Sequence, residues 1–192
     1  MRKLILLALV AVAALSVVAV AGAIRVKGTA GNDTLVGSER HDLIAGLAGD
    51  DTISALGGGD IVFGGRGNDT VSAGDGLDVV FGGAGNDALS GDDGLDIVRG
   101  RSGDDTVEGG NGPDILFGGW GTDVLRGGAG NDRLHAVAKD TLLDTLDCGE
   151  GSHDVAIIRE GEPVAITGCE KVRTVPASAA AKGEPGEPAD GS

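Results

Sequence analysis

Residues 28–135 divide without insertion or deletion into twelve consecutive units of nine. The sixth residue is aspartate in every unit: Asp33, Asp42, Asp51, Asp60, Asp69, Asp78, Asp87, Asp96, Asp105, Asp114, Asp123 and Asp132. The eighth is apolar in every unit, from Leu35 and Ile44 through Val62 and Val80 to Leu125 and Leu134. Glycine holds the fourth position in eleven units, with Arg40 the exception, and the first in ten, with Ala55 and Ala73 the exceptions. A period kept this strictly describes a stack of repeated supersecondary units, each of which buries its apolar residue only against its neighbours.

Within a unit the first six residues read as a turn. Glycine at the first and fourth positions, and at the second in half the units, permits positive φ and close backbone approach. The last three, rich in Thr, Val, Ile, Leu and Phe, suit a short strand. Alternation along that strand sends the eighth residue to one face and the seventh and ninth to the other. The unit Gly64-Gly65-Arg66-Gly67-Asn68-Asp69-Thr70-Val71-Ser72 resembles the G-G-x-G-x-D-x-U-x nonapeptide of the RTX, or haemolysin-type calcium-binding, family. That resemblance implies an all-β chain folded as a right-handed parallel β-roll, a solenoid with two nonapeptides per coil.

On such a roll the turns alternate between two edges. Odd-numbered units stack Asp33, Asp51, Asp69, Asp87, Asp105 and Asp123 on one edge, and even-numbered units stack Asp42, Asp60, Asp78, Asp96, Asp114 and Asp132 on the other. Neighbours on an edge are about 4.8 Å apart, one strand spacing, and carboxylates that close repel unless a cation lies between them. Oxygen donors of this kind favour Ca²⁺ over softer metals, and a flexible cage of six or more disfavours Mg²⁺. The resemblance implies ions held by carboxylates and carbonyls of adjacent turns on one edge, up to about ten in all. Aspartate is also a turn former, which accounts for some of these positions and not for one in every unit. Arg40 stands where a glycine is expected and units one to three deviate most, so the first sites on the even-unit edge are expected to be weak or empty.

Charge supports the same partner and excludes another. The chain has 15 basic and 30 acidic residues, and the repeats alone hold 6 Arg, no Lys and 19 acids. Nucleic-acid binding needs basic patches that such a balance does not provide. Residues 1–23 begin Met1-Arg2-Lys3, run uncharged from Leu4 to Ala23, and offer A-x-A cleavage sites at Ala19/Ala21 and Ala21/Ala23. They read as a secretory signal peptide, the other reading being an uncleaved anchor. The expected location is extracellular or at the cell surface.

A period of 18 lies inside the period of nine. Strands of odd-numbered units carry Thr34, Thr52, Thr70 and Thr106 outward, with Ser54, Ser72 and Ser90. Strands of even-numbered units carry Ile61, Val79, Ile97 and Ile115, with all three phenylalanines, Phe63, Phe81 and Phe117. An apolar face of this extent is seldom left bare, so Ile61, Phe63, Val79, Phe81, Ile115 and Phe117 are expected to form an interface. Its occupant is a second copy, a cell-surface or extracellular partner, or the chain's own C-terminal part. Trp120 reads as a solvent-edge turn residue.

The roll is expected to extend over residues 24–147, with 136–147 degenerate enough to leave a further coil open. Residues 148–173 read as a cap: Val155–Arg159 and Val164–Thr167 as a hairpin about Glu160-Gly161-Glu162-Pro163, bracketed by Cys148 and Cys169, which in an exported chain suggest a disulfide, the other reading being two free thiols. Asp154 follows a turn one residue too long, which makes it a possible ligand. Residues 174–192 read as a disordered tail. No H-E-x-x-H or G-x-S-x-G is present, and His41, His135 and His153 are scattered, so no enzyme is expected. The residues point to an exported calcium-binding roll that serves as a binding or structural module. The alternatives are an ice- or polysaccharide-facing roll using the Thr/Ser ladder, or a non-catalytic remnant of a secreted enzyme.

Overall fold

A computed structural model describes residues 23–137, 140 and 142–177. The described chain is all β. One sheet has nine parallel strands in the order β1 (Arg25–Lys27), β3 (Leu43–Ala48), β5 (Ile61–Arg66), β7 (Val79–Ala84), β9 (Ile97–Ser102), β11 (Ile115–Trp120), β13 (Arg133–Ala136), β15 (Val155–Arg159) and β17 (Lys171–Val175). The other has eight, ordered from β16 (Val164–Thr167) through β14 (Asp144–Asp147), β12 (Val124–Ala129), β10 (Thr106–Asn111), β8 (Ala88–Gly94), β6 (Thr70–Gly76) and β4 (Thr52–Gly58) to β2 (Thr34–Ser38). The chain crosses from one sheet to the other at every turn. Partners within the repeats are 18 residues apart, as in Val62↔Val80 and Val71↔Leu89, so one circuit takes two units.

This register puts the eighth residues of both sheets face to face. Leu35, Ile44, Ile53, Val62 and their counterparts through Leu134 are all buried, and Val26, Leu146 and Ala156 continue the row at its two ends. The core is built on this file of aliphatic side chains, with Ala55, Ala73, Ala136 and Cys148 buried beside it. Because each coil adds so little apolar area, truncation in mid-roll is felt fully. Leu116→Ala, at a site with no exposed surface, should cost about 2–5 kcal/mol, read as a lowered midpoint in denaturant with calcium present.

Three expectations are corrected at the C-terminal end. Val155–Arg159 and Val164–Thr167 form no hairpin. They are β15 and β16, and each pairs in parallel within a different sheet, β15 with β13 and β17 and β16 with β14. The solenoid therefore runs on past the strict repeats, because a coil needs a period close to 18 and tolerates loops: partner separations become 21 for Val124↔Thr145 and 16 for Val155↔Lys171. The tail boundary also moves, since Thr174 and Val175 belong to β17. Finally, residues 142–177 lengthen the stack instead of covering the outer face of the nine-stranded sheet. The degenerate stretch after His135 does complete a coil through β14. At the other end β1 adds a strand before the first repeat. The signal-peptide reading and the remainder of the tail fall on residues outside those described.

Candidate metal centre

From the third unit on, the chain reverses through left-handed backbone at the second position of every turn and at the fourth of every turn but that of Gly76, as at Gly65 (φ 125°) and Gly67 (φ 118°). A side chain at Gly65 would also overlap the Leu47 carbonyl of the preceding coil. The second position nevertheless holds Leu47, Leu56, Asp92 and Arg101 at φ of 71–88°, a conformation costing about 1–2 kcal/mol for an L-residue. These turns are held by something stronger than their own preference.

The aspartates are placed as two columns. All twelve sixth-position side chains point inward at the turn edges, and every one but the half-buried Asp33 is buried. Along the odd-unit edge each Oδ1 accepts the backbone N–H of the aspartate one coil earlier: Asp33 to Asp51, then Asp69, Asp87, Asp105, Asp123 and on to Asp144, at 2.8–2.9 Å. The even-unit edge repeats this from Asp42 through Asp60, Asp78, Asp96, Asp114 and Asp132 to Asp154, at 2.6–2.9 Å. Asp144 and Asp154 thus extend the columns. Asp144 was missed because it lies 21 residues after Asp123 instead of 18, although Asp144-Thr145-Leu146 keeps the local D-x-U pattern.

The second oxygen is the informative one. Oδ2 is buried without a hydrogen-bond partner in Asp51, Asp60, Asp69, Asp78, Asp87, Asp96, Asp105, Asp114, Asp123 and Asp132, and in Asp154. Buried polar atoms are almost always paired, and a bound cation would pair each of these repeated orphans. The first-position glycine explains its surroundings. A Cβ on Gly109 would lie 2.5 Å from both Asp114 Oδ2 and the Gly127 carbonyl oxygen of the next coil, and the same convergence recurs at Gly46, Gly64, Gly82 and Gly100. Carboxylate and carbonyl oxygens crowd one space.

The first unit of each edge differs. Asp33 Oδ2 accepts from Thr29 N and Oγ1, and Asp42 Oδ2 accepts from Ser38 N and Oγ. Hydroxyl residues at the second position satisfy those carboxylates internally.

Burial raises the carboxyl pKa of the ten sixth-position aspartates from Asp51 to Asp132, opposed by the backbone hydrogen bond and reinforced by neighbouring aspartates. Asp105 is pushed up to about 8, Asp87, Asp96, Asp114 and Asp123 to about 7, and Asp60 to about 6. Among the described residues no group of three or more His, Cys, Asp or Glu side chains gathers at one point. A cation between successive turns would meet these carboxylate and carbonyl oxygens, a hard, all-oxygen donor set suited to calcium.

The RTX calcium-binding nonapeptide repeat, in its four-copy form, matches residues 27–62, 63–98 and 99–134. These three blocks cover more than half of the 192 residues. The chain belongs to this family. No curated protein matches it. The RTX repeats and the β-solenoid together make this a calcium-binding roll.

The two edges of the RTX roll are chemically unlike, which the sequence reading missed. On the odd-unit edge the fifth position carries Asn32, Asp50, Asn68, Asn86 and Asp104, each accepting the backbone N–H of the residue one coil later at 2.8–2.9 Å. On the even-unit edge that position holds His41, Gly59, Leu77, Leu95, Pro113 and Asn131, where His41 Nδ1 accepts from the Gly59 N–H and Asn131 Oδ1 from the Ser152 N–H, and the four residues between them offer no side-chain acceptor. The signal was an Asx residue every 18, visible only when odd and even units are compared separately. The odd-unit edge thus has a second ladder of side-chain bonds.

The faces differ too. Strands of the nine-stranded sheet hold nine Lys and Arg, including Arg25, Arg99, Arg101, Arg133 and Arg173, and no Asp or Glu. Strands of the eight-stranded sheet hold six acids and a single Arg126, which pairs with Glu108 at 2.9 Å. On the nine-stranded face Ile61 and Phe63 are exposed, and Val79, Phe81, Ile115 and Phe117 are half-buried. Phe63 stacks on Phe81 at 5.0 Å, Arg101 lies over Phe81 at 4.7 Å, Arg99 over Phe117 at 4.0 Å, and Phe117 stacks on His135 at 4.4 Å. Burial, with Arg99 and Arg133 beside it, lowers the His135 pKa to about 4 and keeps the ring neutral. Trp120 ends β11 half-buried.

Proposed function

We propose that this is an exported RTX roll whose folding is driven by calcium along both turn edges, and that it acts as a non-catalytic binding or structural module. The observation that carries the calcium part is the file of orphaned Oδ2 atoms, ten of them on sixth-position aspartates. The residues that would hold the ions are those aspartates together with the turn carbonyls beside them. Calcium would supply charge neutralisation and a bridge between successive coils. Equilibrium dialysis of residues 24–192 should find several calcium ions per chain, with fewer after Asp87→Asn with Asp105→Asn. Binding of one ion or none would sink the proposal.

Export is supported by the character of residues 1–23 and by the Cys148–Cys169 disulfide, which suits an oxidising compartment. The module's binding surface is taken to be the outer face of the nine-stranded sheet. Its cations and lack of acids, in a chain with net charge −15, favour an acidic partner over a second copy, which would set Arg against Arg. Phe63→Asp with Phe81→Asp should abolish capture of that partner from culture supernatant while leaving calcium binding and roll size unchanged. Capture unaffected by the pair would retire this face. The in-register Thr34, Thr52 and Thr70 on the opposite sheet favour an ice- or polysaccharide-facing role as a second reading. Ala88 and Val124 interrupt that ladder, and thermal-hysteresis and glycan-pulldown assays test it.

A further inference from the structure

The residues matched by the family end at 134, yet the even-unit column of buried carboxylates does not. We propose that the turns 127–132 and 148–154 hold one additional divalent cation, outside the recognised repeats, and that the Cys148–Cys169 disulfide keeps this site closed. The inference rests on the calcium reading of the repeats and extends it to a turn of different sequence.

Asp154 has no exposed surface, and its Oδ1 accepts the Asp132 N–H at 2.8 Å. Its Oδ2 and that of Asp132, also fully buried, have no hydrogen-bond partner. A Cβ on Gly151 would overlap both Asp154 Oδ2 and the Gly130 carbonyl oxygen of the preceding turn, so this unpaired oxygen lies where the two turns meet. Carbonyl placement follows the repeats with one substitution. A Cβ on Gly127 would overlap both Asp132 Oδ2 and the Cys148 carbonyl oxygen, the same pair of contacts that Asp114 and the Gly127 carbonyl make at Gly109. Cys148 occupies the place of a first-position glycine.

The turn from Cys148 to Asp154 is one residue longer than a repeat turn, and the backbone absorbs the difference. Gly149 takes a left-handed φ of 83°. The Glu150 N–H donates to the Gly128 carbonyl at 2.6 Å, and the Gly130 N–H donates to the Glu150 carbonyl at 2.8 Å. The long turn is thus tied to the one before it at two points.

The disulfide ties it to the one after. Cys148 is fully buried and bonded to Cys169, with Cα atoms 5.1 Å apart, and its N–H donates to the Thr167 carbonyl at 3.0 Å. Cys169 immediately precedes Glu170, whose Oε2 accepts the Asp154 N–H at 2.7 Å and ends the column. One covalent bond therefore positions both the Cys148 carbonyl and the residue that holds the Asp154 backbone. At the opposite end of the column Ser38 satisfies Asp42 Oδ2, so the N-terminal end is closed by the protein's own donors and the C-terminal end is left for an ion.

The test counts calcium ions per chain by native mass spectrometry over a calcium titration, with far-ultraviolet circular dichroism to confirm folding. Asp154→Ser should bind one ion fewer than the wild type at saturation, and His153→Ala, an exposed neighbour in the same turn, should bind the full number. Cys148→Ser with Cys169→Ser, or the wild type kept reduced, should need about tenfold more calcium to take up the last ion. An unchanged count in folded Asp154→Ser overturns the site. Identical titrations of oxidised and reduced chains, which need no substitution to fold, overturn the role of the disulfide. A wild type that binds no calcium at all would instead bring down the proposed function of the whole roll.

Discussion

With calcium chelated, residues 24–192 should give the far-ultraviolet spectrum of an unordered, expanded chain, and millimolar calcium should restore a compact β-sheet spectrum. The physical argument is one of magnitudes. Adjacent column carboxylates at a strand spacing of about 4.8 Å, both ionised, repel by about 3 kcal/mol at an effective dielectric constant of about 20. Several such pairs along either edge reach the whole stability of an ordinary domain, about 5–15 kcal/mol. The apolar file cannot outweigh that, since each coil contributes only two eighth-position side chains. A divalent ion between coils reverses the sign of the interaction, so binding and folding are one equilibrium. Circular dichroism together with hydrodynamic size checks this, and a chelated chain that keeps its spectrum and its compactness would refute it.

Acid should substitute in part for calcium. Without metal, the folded chain holds Asp60, Asp87, Asp96, Asp105, Asp114 and Asp123 at pKa values of about 6 to about 8, raised by burial, against the ordinary value of 3.8. Between these limits the folded state binds more protons than the unfolded, so the stability of the ion-free roll falls as pH rises from about 4 to about 8. Protonation also gives each orphaned Oδ2 a hydrogen to donate toward the neighbouring first-position carbonyl. In chelator, lowering the pH from about 8 to about 5 should therefore increase the β-sheet signal. With calcium present the dependence inverts, because protons compete for the same oxygens, and the calcium midpoint should move to higher concentration as pH falls over the same window. A chelated chain no more ordered at the lower pH would count against buried carboxylates as the groups that keep the ion-free roll unfolded.

Much of this was legible because the repeat places every residue by its number. The aspartate at every sixth position and the aliphatic residue at every eighth survive into the structure as two columns and one core file, since nothing intervenes between neighbouring coils to reassign them. Legibility failed where the count slipped. Asp144, 21 residues after its partner, drops out of a strict period although it bonds as the others do, and Asp154, 22 residues after its own, was legible only as a possible ligand. β15 and β16 resemble a hairpin because two short strands about Gly161 carry no mark of direction. Whether they pair with each other or with strands already stacked is decided by the open sheet edges that β13 and β14 offer.

By itself the order of residues settled the repeat, its turn-and-strand division and the aspartate columns, all of which depend on composition at fixed spacing. Tertiary structure alone decided which oxygens are left without a partner, how far the solenoid runs beyond its repeats, and that cations collect on one sheet while acids collect on the other. Those features arise between coils, from atoms some 16 to 22 residues apart, where burial and register determine what a carboxylate or a guanidinium meets.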